Sequence, residues 1–216
     1  MVRALAEIYP DAEQRQNYGM TETGPTGTIL TPEFTFSKLG SVGLPMPLCE
    51  TMVADEQGQP LSPGTVGEIR IRSPGNMLGY YKNPEATAAT QVDGWVRTGD
   101  LGRKDAEGFL WNVDRLKDVI NRGGFKISSM EVEDALFRHP AVLEAAVVAV
   151  PHPQLGEDIR AFVVLRPGMR LEVEELRSHC AERLAAYKVP REIRLVAALP
   201  RNSMGKVQKV ELRRAD

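Results

Sequence analysis

Cysteine is scarce in this chain. Cys49 and Cys180 are the only two in 216 residues, and their separation fits neither a disulfide framework nor a metal-binding set. That excludes a disulfide-stapled secreted module and suits a reducing, cytoplasmic setting. Histidine is as sparse, and His139, His152 and His179 form no ligand pattern. Long apolar runs are lacking too: the longest, residues 141–150, carries Glu144 and is too short to cross a bilayer. Residues 1–10 lack the apolar centre of a signal peptide, so neither export nor an integral membrane segment is expected. The net charge of -2 disfavours nucleic acid as the main partner. No internal repeat, low-complexity tract or long linker is present.

What is present is enough apolar material, 42% of residues, to bury the core of one or two globular domains. The stretch Asp114-Arg115-Leu116-Lys117-Asp118-Val119-Ile120-Asn121-Arg122-Gly123-Gly124-Phe125-Lys126 separates two parts of different character. Short strands and glycine-rich turns precede it; two amphipathic helical segments alternating with apolar strands follow it, the pattern of a small separate α+β unit. Its four basic residues and paired glycines allow a sharp turn beside something anionic. They fit a charged surface hairpin with a Gly-Gly turn equally well.

Before that stretch, residues 2–9 carry helical spacing at Val2, Leu5, Ala6 and Tyr9, without a capping residue ahead of them, as in the tail of a longer helix. Asn17-Tyr18-Gly19-Met20-Thr21-Glu22-Thr23-Gly24-Pro25-Thr26-Gly27 reads as an open loop that offers hydroxyls and backbone N–H groups to phosphate and an aromatic ring to a base. Its composition also fits a turn-rich connector. Strands are expected over 40–43, 50–54 and 67–72, giving a small barrel or distorted sheet, with a short helix over 84–90. Gly94 to Asp100 ends in an acid between tight turns, which satisfies a turn or grips two adjacent hydroxyls as carboxylates do with ribose. The run 105–108 makes a hairpin that returns through 109–113.

After the stretch, Ser128 and Glu131 fit a capping box opening a helix with Val132, Ala135 and Leu136 inward, and His139-Pro140 closes it. Residues 142–150 and 159–165 are core strands, and 192–196 is another. Val173, Leu176, Cys180 and Leu184 share one helical face, which makes Cys180 a buried core thiol. Gly205 lets Lys206 project from an exposed turn. The basic residues crowding 201–216 read as a solvated tail.

Five motifs follow in order: Asn17 to Glu22, Gly67-Glu68 with Gly79-Tyr80, Trp95 to Asp100, Asp114 to Lys126, and Pro200 to Lys209. Together they resemble the adenylate-forming superfamily of acyl-CoA synthetases, firefly luciferase and peptide-synthetase adenylation domains. Asn121 to Ser128, Val150-Pro151-His152-Pro153 and Tyr187-Lys188-Val189-Pro190-Arg191 look most like bacterial acyl-CoA ligases. The resemblance implies an α+β chain: residues 1–114 as the end of a large domain, with a barrel-like subdomain, and 115–216 as a small mobile domain hinged at Lys117. It implies a carboxylic acid, ATP and CoA as reactants, with Mg²⁺ on the phosphates. Tyr18, with Gly19 beside it, would stack on adenine, Thr21 would bond the α-phosphate, and Glu22 would hold the metal. Asp100 would accept the ribose hydroxyls, with Arg115 approaching the same sugar. Lys206 would reach the carboxylate and α-phosphate, and Gly123 and Gly124 would line a pantetheine tunnel after the small domain turns.

The glycine-rich phosphate loop that the resemblance places upstream of Tyr18 is not in these 216 residues, so this chain alone is expected not to complete adenylation. The alternatives are a fragment of a peptide-synthetase adenylation domain, disfavoured because no carrier segment follows Asp216, and a noncatalytic module that binds nucleotide or docks on another ligase.

Overall fold

The computed structural model describes residues 2–24 and 27–215 and divides the chain into two compact units, residues 1–116 and 117–216. The division falls two residues beyond the expected 114/115 boundary because the strand carrying Asp114 runs on through Arg115.

In the first unit, α1 (Val2–Ile8) forms as expected, but it buries no residue, and Leu5, Ile8 and Tyr9 are exposed. The expected loop over 17–27 is more ordered than its composition suggests: β1 (Gln16–Tyr18) is followed by a 3₁₀ turn at Thr21–Thr23 and by β2 (Thr28–Leu30). Pro25 and Thr26 of that stretch lie outside the described residues. A strand over 40–43 does not form. Gly43 makes only an isolated bridge to Leu110, and the strand proper is β3 (Leu44–Pro45), third in the antiparallel order β1-β2-β3. Backbone conformation explains this: Gly40 and Gly43 take φ values of 83° and 92°, outside the extended region that a strand needs.

The larger sheet is a half-barrel of antiparallel strands, β4 (Glu50–Ala54), β5 (Gly67–Arg72), β6 (Gln91–Val92), β7 (Trp95–Lys104) and β8 (Leu110–Arg115). Alternation along β5 carries Ile69 and Ile71 into a core with Val42, Val53 and Leu110. The helix α2 (Pro84–Thr90) is capped by Asn83, whose Oδ1 accepts the Ala86 N–H at 3.0 Å.

The second unit is built on β11 (Val142–His152) and β12 (Gly156–Leu165), a long antiparallel pair with β13 (Glu192–Leu195) added in parallel to β12. Both sheet faces are covered, which is why residues 145–150 are apolar without alternation. Val147, Ile159, Ala161 and Val163 pack beneath α3 (Ser129–Phe137) and α4 (Val173–Ala181), which supply Val132, Leu136, Leu176 and Cys180. Ala146, Val148, Phe162 and Val164 face Leu199 and Leu212. Leu212 belongs to α5 (Lys209–Arg214), so the basic tail is not merely solvated. Its apolar residue fills the second face while Lys209 pairs with Glu133 at 2.7 Å and Arg213 with Asp118 at 2.5 Å. Ser128 Oγ accepts the Glu131 N–H at 3.2 Å, the forward half of the expected capping box, and both carboxylate oxygens of Glu131 take Lys188. Leu184 lies beyond the end of α4 yet packs on the same core.

The dividing stretch itself is largely a surface hairpin. β9 (Ile120–Arg122) and β10 (Phe125–Ile127) pair antiparallel about Gly123 and Gly124, whose φ values of 60° and 89° suit a two-residue hairpin turn that glycine adopts readily.

Candidate functional site

Two groups of the expected residues emerge, one in each unit. In the first, the carboxylate of Asp100 is the centre. β7 does not end at this acid but continues to Lys104, and the ladder with β5 slips between the Glu68–Leu101 and Arg70–Arg97 pairs. Thr98, Gly99 and Asp100 form the resulting bulge, with Gly99 at φ 69°. Bulges re-aim side chains, and here Thr98 sets the result by donating its hydroxyl to Ile69 O at 2.7 Å and accepting the Asp100 N–H at 3.1 Å. Beneath the bulge the buried Glu68 carboxylate takes Arg97 Nε at 2.9 Å and Arg70 at 3.3 Å.

Asp100 Oδ2 accepts the Tyr18 hydroxyl at 2.8 Å, bringing together residues 82 positions apart. Oδ1 faces Arg115 Nε at 3.5 Å from the opposed position on β8. Asp100 is mostly sheltered and Arg115 about half exposed, so the acid retains lone pairs while its charge is balanced. Burial pushes the Tyr18 phenol well above its ordinary pKa, and the Asp100 charge adds to this against the opposing Thr98 hydrogen bond and Arg115 charge. The folded state therefore holds this proton more tightly than the unfolded chain. Its stabilising contribution is complete below about pH 10 and is lost as pH rises above that value. Denaturation midpoints followed by tryptophan fluorescence, which reports the first unit because Trp95 and Trp111 both lie there, should separate wild type from Tyr18→Phe at pH 8, the gap narrowing by pH 11. A gap that stays constant across that range would remove the Tyr18–Asp100 bond as its origin.

Gly19 follows Tyr18 at the end of β1, and Thr21 and Glu22 lie on the 3₁₀ turn, where Thr23 is buried and its Oγ1 bonds both the N–H and the carbonyl of Met20. Glu22 Oε1 accepts the Tyr80 hydroxyl at 2.8 Å, and this bond is the main cause that raises the Tyr80 pKa. The motif Gly79-Tyr80 is visible in the sequence, but its partnership with Glu22, 58 positions away, is not. Among the described residues no group of three or more His, Cys, Asp or Glu side chains is placed to hold a metal. A single carboxylate still fits Mg²⁺, which takes one or two carboxylates and fills its shell with water and phosphate oxygens.

In the second unit, Lys206 sits on the tight turn that Arg201 and Val207 close by bridging. Asn202 Oδ1 accepts the N–H of Met204 at 3.1 Å and of Lys206 at 2.9 Å, while Arg201 donates to Gly205 O at 2.6 Å. Gly205 takes φ 78°, as an exposed turn requires. The backbone is fixed while the Lys206 ammonium stays exposed and, among the described residues, makes no ion pair. Gly123 donates its N–H to Leu155 O at 2.9 Å, and a Cβ there would meet the Leu155 side chain at 3.2 Å; around Gly124 the space is open. Lys117 opens the unit, and its carbonyl accepts Arg213 at 3.0 Å.

Comparison with known proteins gives the family. Residues 1–81 match the AMP-binding enzyme family and residues 131–206 match the AMP-binding enzyme C-terminal domain, together well over half of the chain. The chain belongs to the adenylate-forming, AMP-binding superfamily. Among superfamily members it is 42% identical over 198 residues to a sulfoacetate–CoA ligase of Cupriavidus necator, covering 91% of this chain and 39% of that protein. It is 44% identical over 197 residues to a 2-succinylbenzoate–CoA ligase of Bacillus velezensis, with 91% and 40% covered. An o-succinylbenzoate CoA synthetase structure from Bacillus subtilis, in complex with its acyl-adenylate intermediate, superimposes with a TM-score of 0.92 at 38% identity, covering all of this chain and 44% of that one. The chain thus spans about two fifths of the length of the curated relatives it matches. Among the described residues no helix is long and apolar enough to cross a membrane.

Proposed function

We propose that this chain is the C-terminal portion of an ATP-dependent acid–CoA ligase. The reaction joins a carboxylate to the α-phosphorus of ATP with loss of pyrophosphate, and the thiol of CoA then displaces AMP to give the thioester. The observation that carries the reading is the bulge-held Asp100, whose carboxylate meets Tyr18 on one side and Arg115 on the other. A mostly sheltered acid with spare acceptor capacity, bordered by an aromatic ring and a guanidinium, is suited to a ribose diol next to a base. Tyr18 and Gly19 then take the adenine, Asp100 and Arg115 the ribose, and Thr21 the α-phosphate. Glu22, kept in place by Tyr80, takes the Mg²⁺ that offsets phosphate charge when bound. Lys206 supplies positive charge where the carboxylate and α-phosphate meet. Lys117 acts as the pivot by which the Gly123-Gly124 turn replaces Lys206 for the thiol step.

The test is product stoichiometry in a polypeptide of the relatives' full length carrying this sequence. Given ATP, Mg²⁺, CoA and a panel of carboxylic acids, AMP, pyrophosphate and acyl-CoA should appear in equal amounts with at least one acid. ADP formation, or AMP release with no thioester on CoA, would sink the reading.

A further inference from the structure

The Gly123-Gly124 turn is held by a side chain to which the sequence motifs give no role. Asp158, near the start of β12, is a carboxylate only 3% exposed. Burying a carboxylate costs several kcal/mol unless its partners repay it, so its partners matter. Oδ1 takes Arg122 Nε at 2.7 Å and the Ile159 N–H at 2.8 Å. Oδ2 has no hydrogen bond, although Arg191 stands 3.6 Å away and His152 Nε2 4.0 Å away. His152 is oriented by its other nitrogen, Nδ1, which accepts the N–H groups of Gln154 and Leu155 at 3.2 Å each; Nε2 also touches Arg191.

Arg122 is the last residue before the two glycines. Its second arm donates to the Tyr187 carbonyl at 3.1 Å, and the Tyr187 ring stacks on Phe125, the first residue after the glycines, at 4.7 Å between centroids. Both legs of the turn are therefore tied to the same small region, one through Arg122 and Asp158 and the other through Phe125 and Tyr187. The hairpin has three-residue strands and the most flexible dipeptide at its tip, so it has little rigidity of its own. At Gly124 nothing approaches within 4 Å of a Cβ position. The turn is pinned at its base and open at its tip.

We propose that Asp158 is a positioning residue: by anchoring Arg122 it fixes the Gly123-Gly124 turn in the geometry used in the thiol step. This rests on the reading that the turn serves that step, and the test separates the two ideas. In the 216-residue chain, Asp158→Asn keeps the shape but removes the charge. Amide hydrogen exchange at Gly123 should rise about tenfold, the loss expected for one charge-assisted bond, while amides of residues 146–148 and 161–163 stay unchanged. In a polypeptide of the relatives' full length, thioester formation from supplied acyl-adenylate should fall about tenfold with adenylate formation unaltered. Unchanged exchange at Gly123 would overturn the positioning role whatever the enzyme does. Faster exchange with an undiminished thiol step would overturn the part assigned to the turn. Exchange rising across β11 and β12, or equal loss of both steps, would reduce Asp158 to a fold-stabilising residue and overturn the proposal. Arg122→Gln, at a partly exposed position, provides the same readouts should the Asn variant fail to fold.

Discussion

Replacing Gly43 with alanine should leave the first unit unfolded at 25 °C. A Cβ at this position would lie 1.9 Å from the Ile29 carbonyl oxygen, 2.0 Å from its carbon and 2.2 Å from Leu30 N. These are backbone atoms of β2, so no rotamer change relieves the overlap. The φ of 92° adds strain for any residue with a Cβ. Gly43 cannot retreat either, because its carbonyl accepts the Leu110 N–H at 3.0 Å and its N–H is held by Ser41 Oγ at 3.0 Å, Ser41 being itself bonded to Leu110 O. Relief requires pulling β2 from this bridge, which opens the core around Val42 and Leu110. A loss of about 5 kcal/mol or more is expected, as much as a marginally stable domain possesses. Trp95 and Trp111, both in the first unit, should show the red-shifted emission of exposed indole in the variant, while the second unit keeps its own transition. A variant melting within a few degrees of wild type would disprove the close packing of Gly43 on β2.

Lys206→Ala is expected to lower adenylate formation about 10²- to 10³-fold, the range found when one preorganised charge or donor is removed from a transition state. The turn that carries Lys206 is fixed through Asn202, Arg201 and Gly205, none of which uses the Lys206 side chain, so the substitution should leave the fold intact. The ammonium serves the first step in the proposed cycle and is withdrawn in the second. Pyrophosphate exchange in a polypeptide of the relatives' full length should therefore collapse, while thioester formation from supplied acyl-adenylate changes by no more than a few fold. Equal losses in the two assays would contradict a role confined to the first step.

Much of the fold is legible from local pattern. The capping residue Ser128, the alternation along 67–72, the Gly-Gly turn and the apolar runs at 142–150 and 159–165 each act over a few residues, and each forms near its expected place. Misreadings occur where long-range packing decides. Leu212 gives no periodic signal strong enough to separate a helix from a charged tail, yet the second face of the β11–β12 sheet needs an apolar cover, and α5 supplies it. Residues 40–43 read as a strand but hold positive φ at Gly40 and Gly43, which an extended strand does not accommodate. The apolar stripe of α1 has the helical period but finds no buried place in this unit.

The sequence by itself determined which residue types stand in the five motifs, their order, and hence the family, because such chemistry is written in side-chain identity and short spacing. Only the tertiary structure decided which of them meet. Tyr18 reaches Asp100 across 82 residues because a bulge in β7 turns the acid toward β1, Tyr80 comes to Glu22 across 58, and Arg122 finds Asp158 across 36. No local pattern encodes those pairings: the first depends on a ladder slip in β7 and the others on long-range packing that only the folded chain fixes.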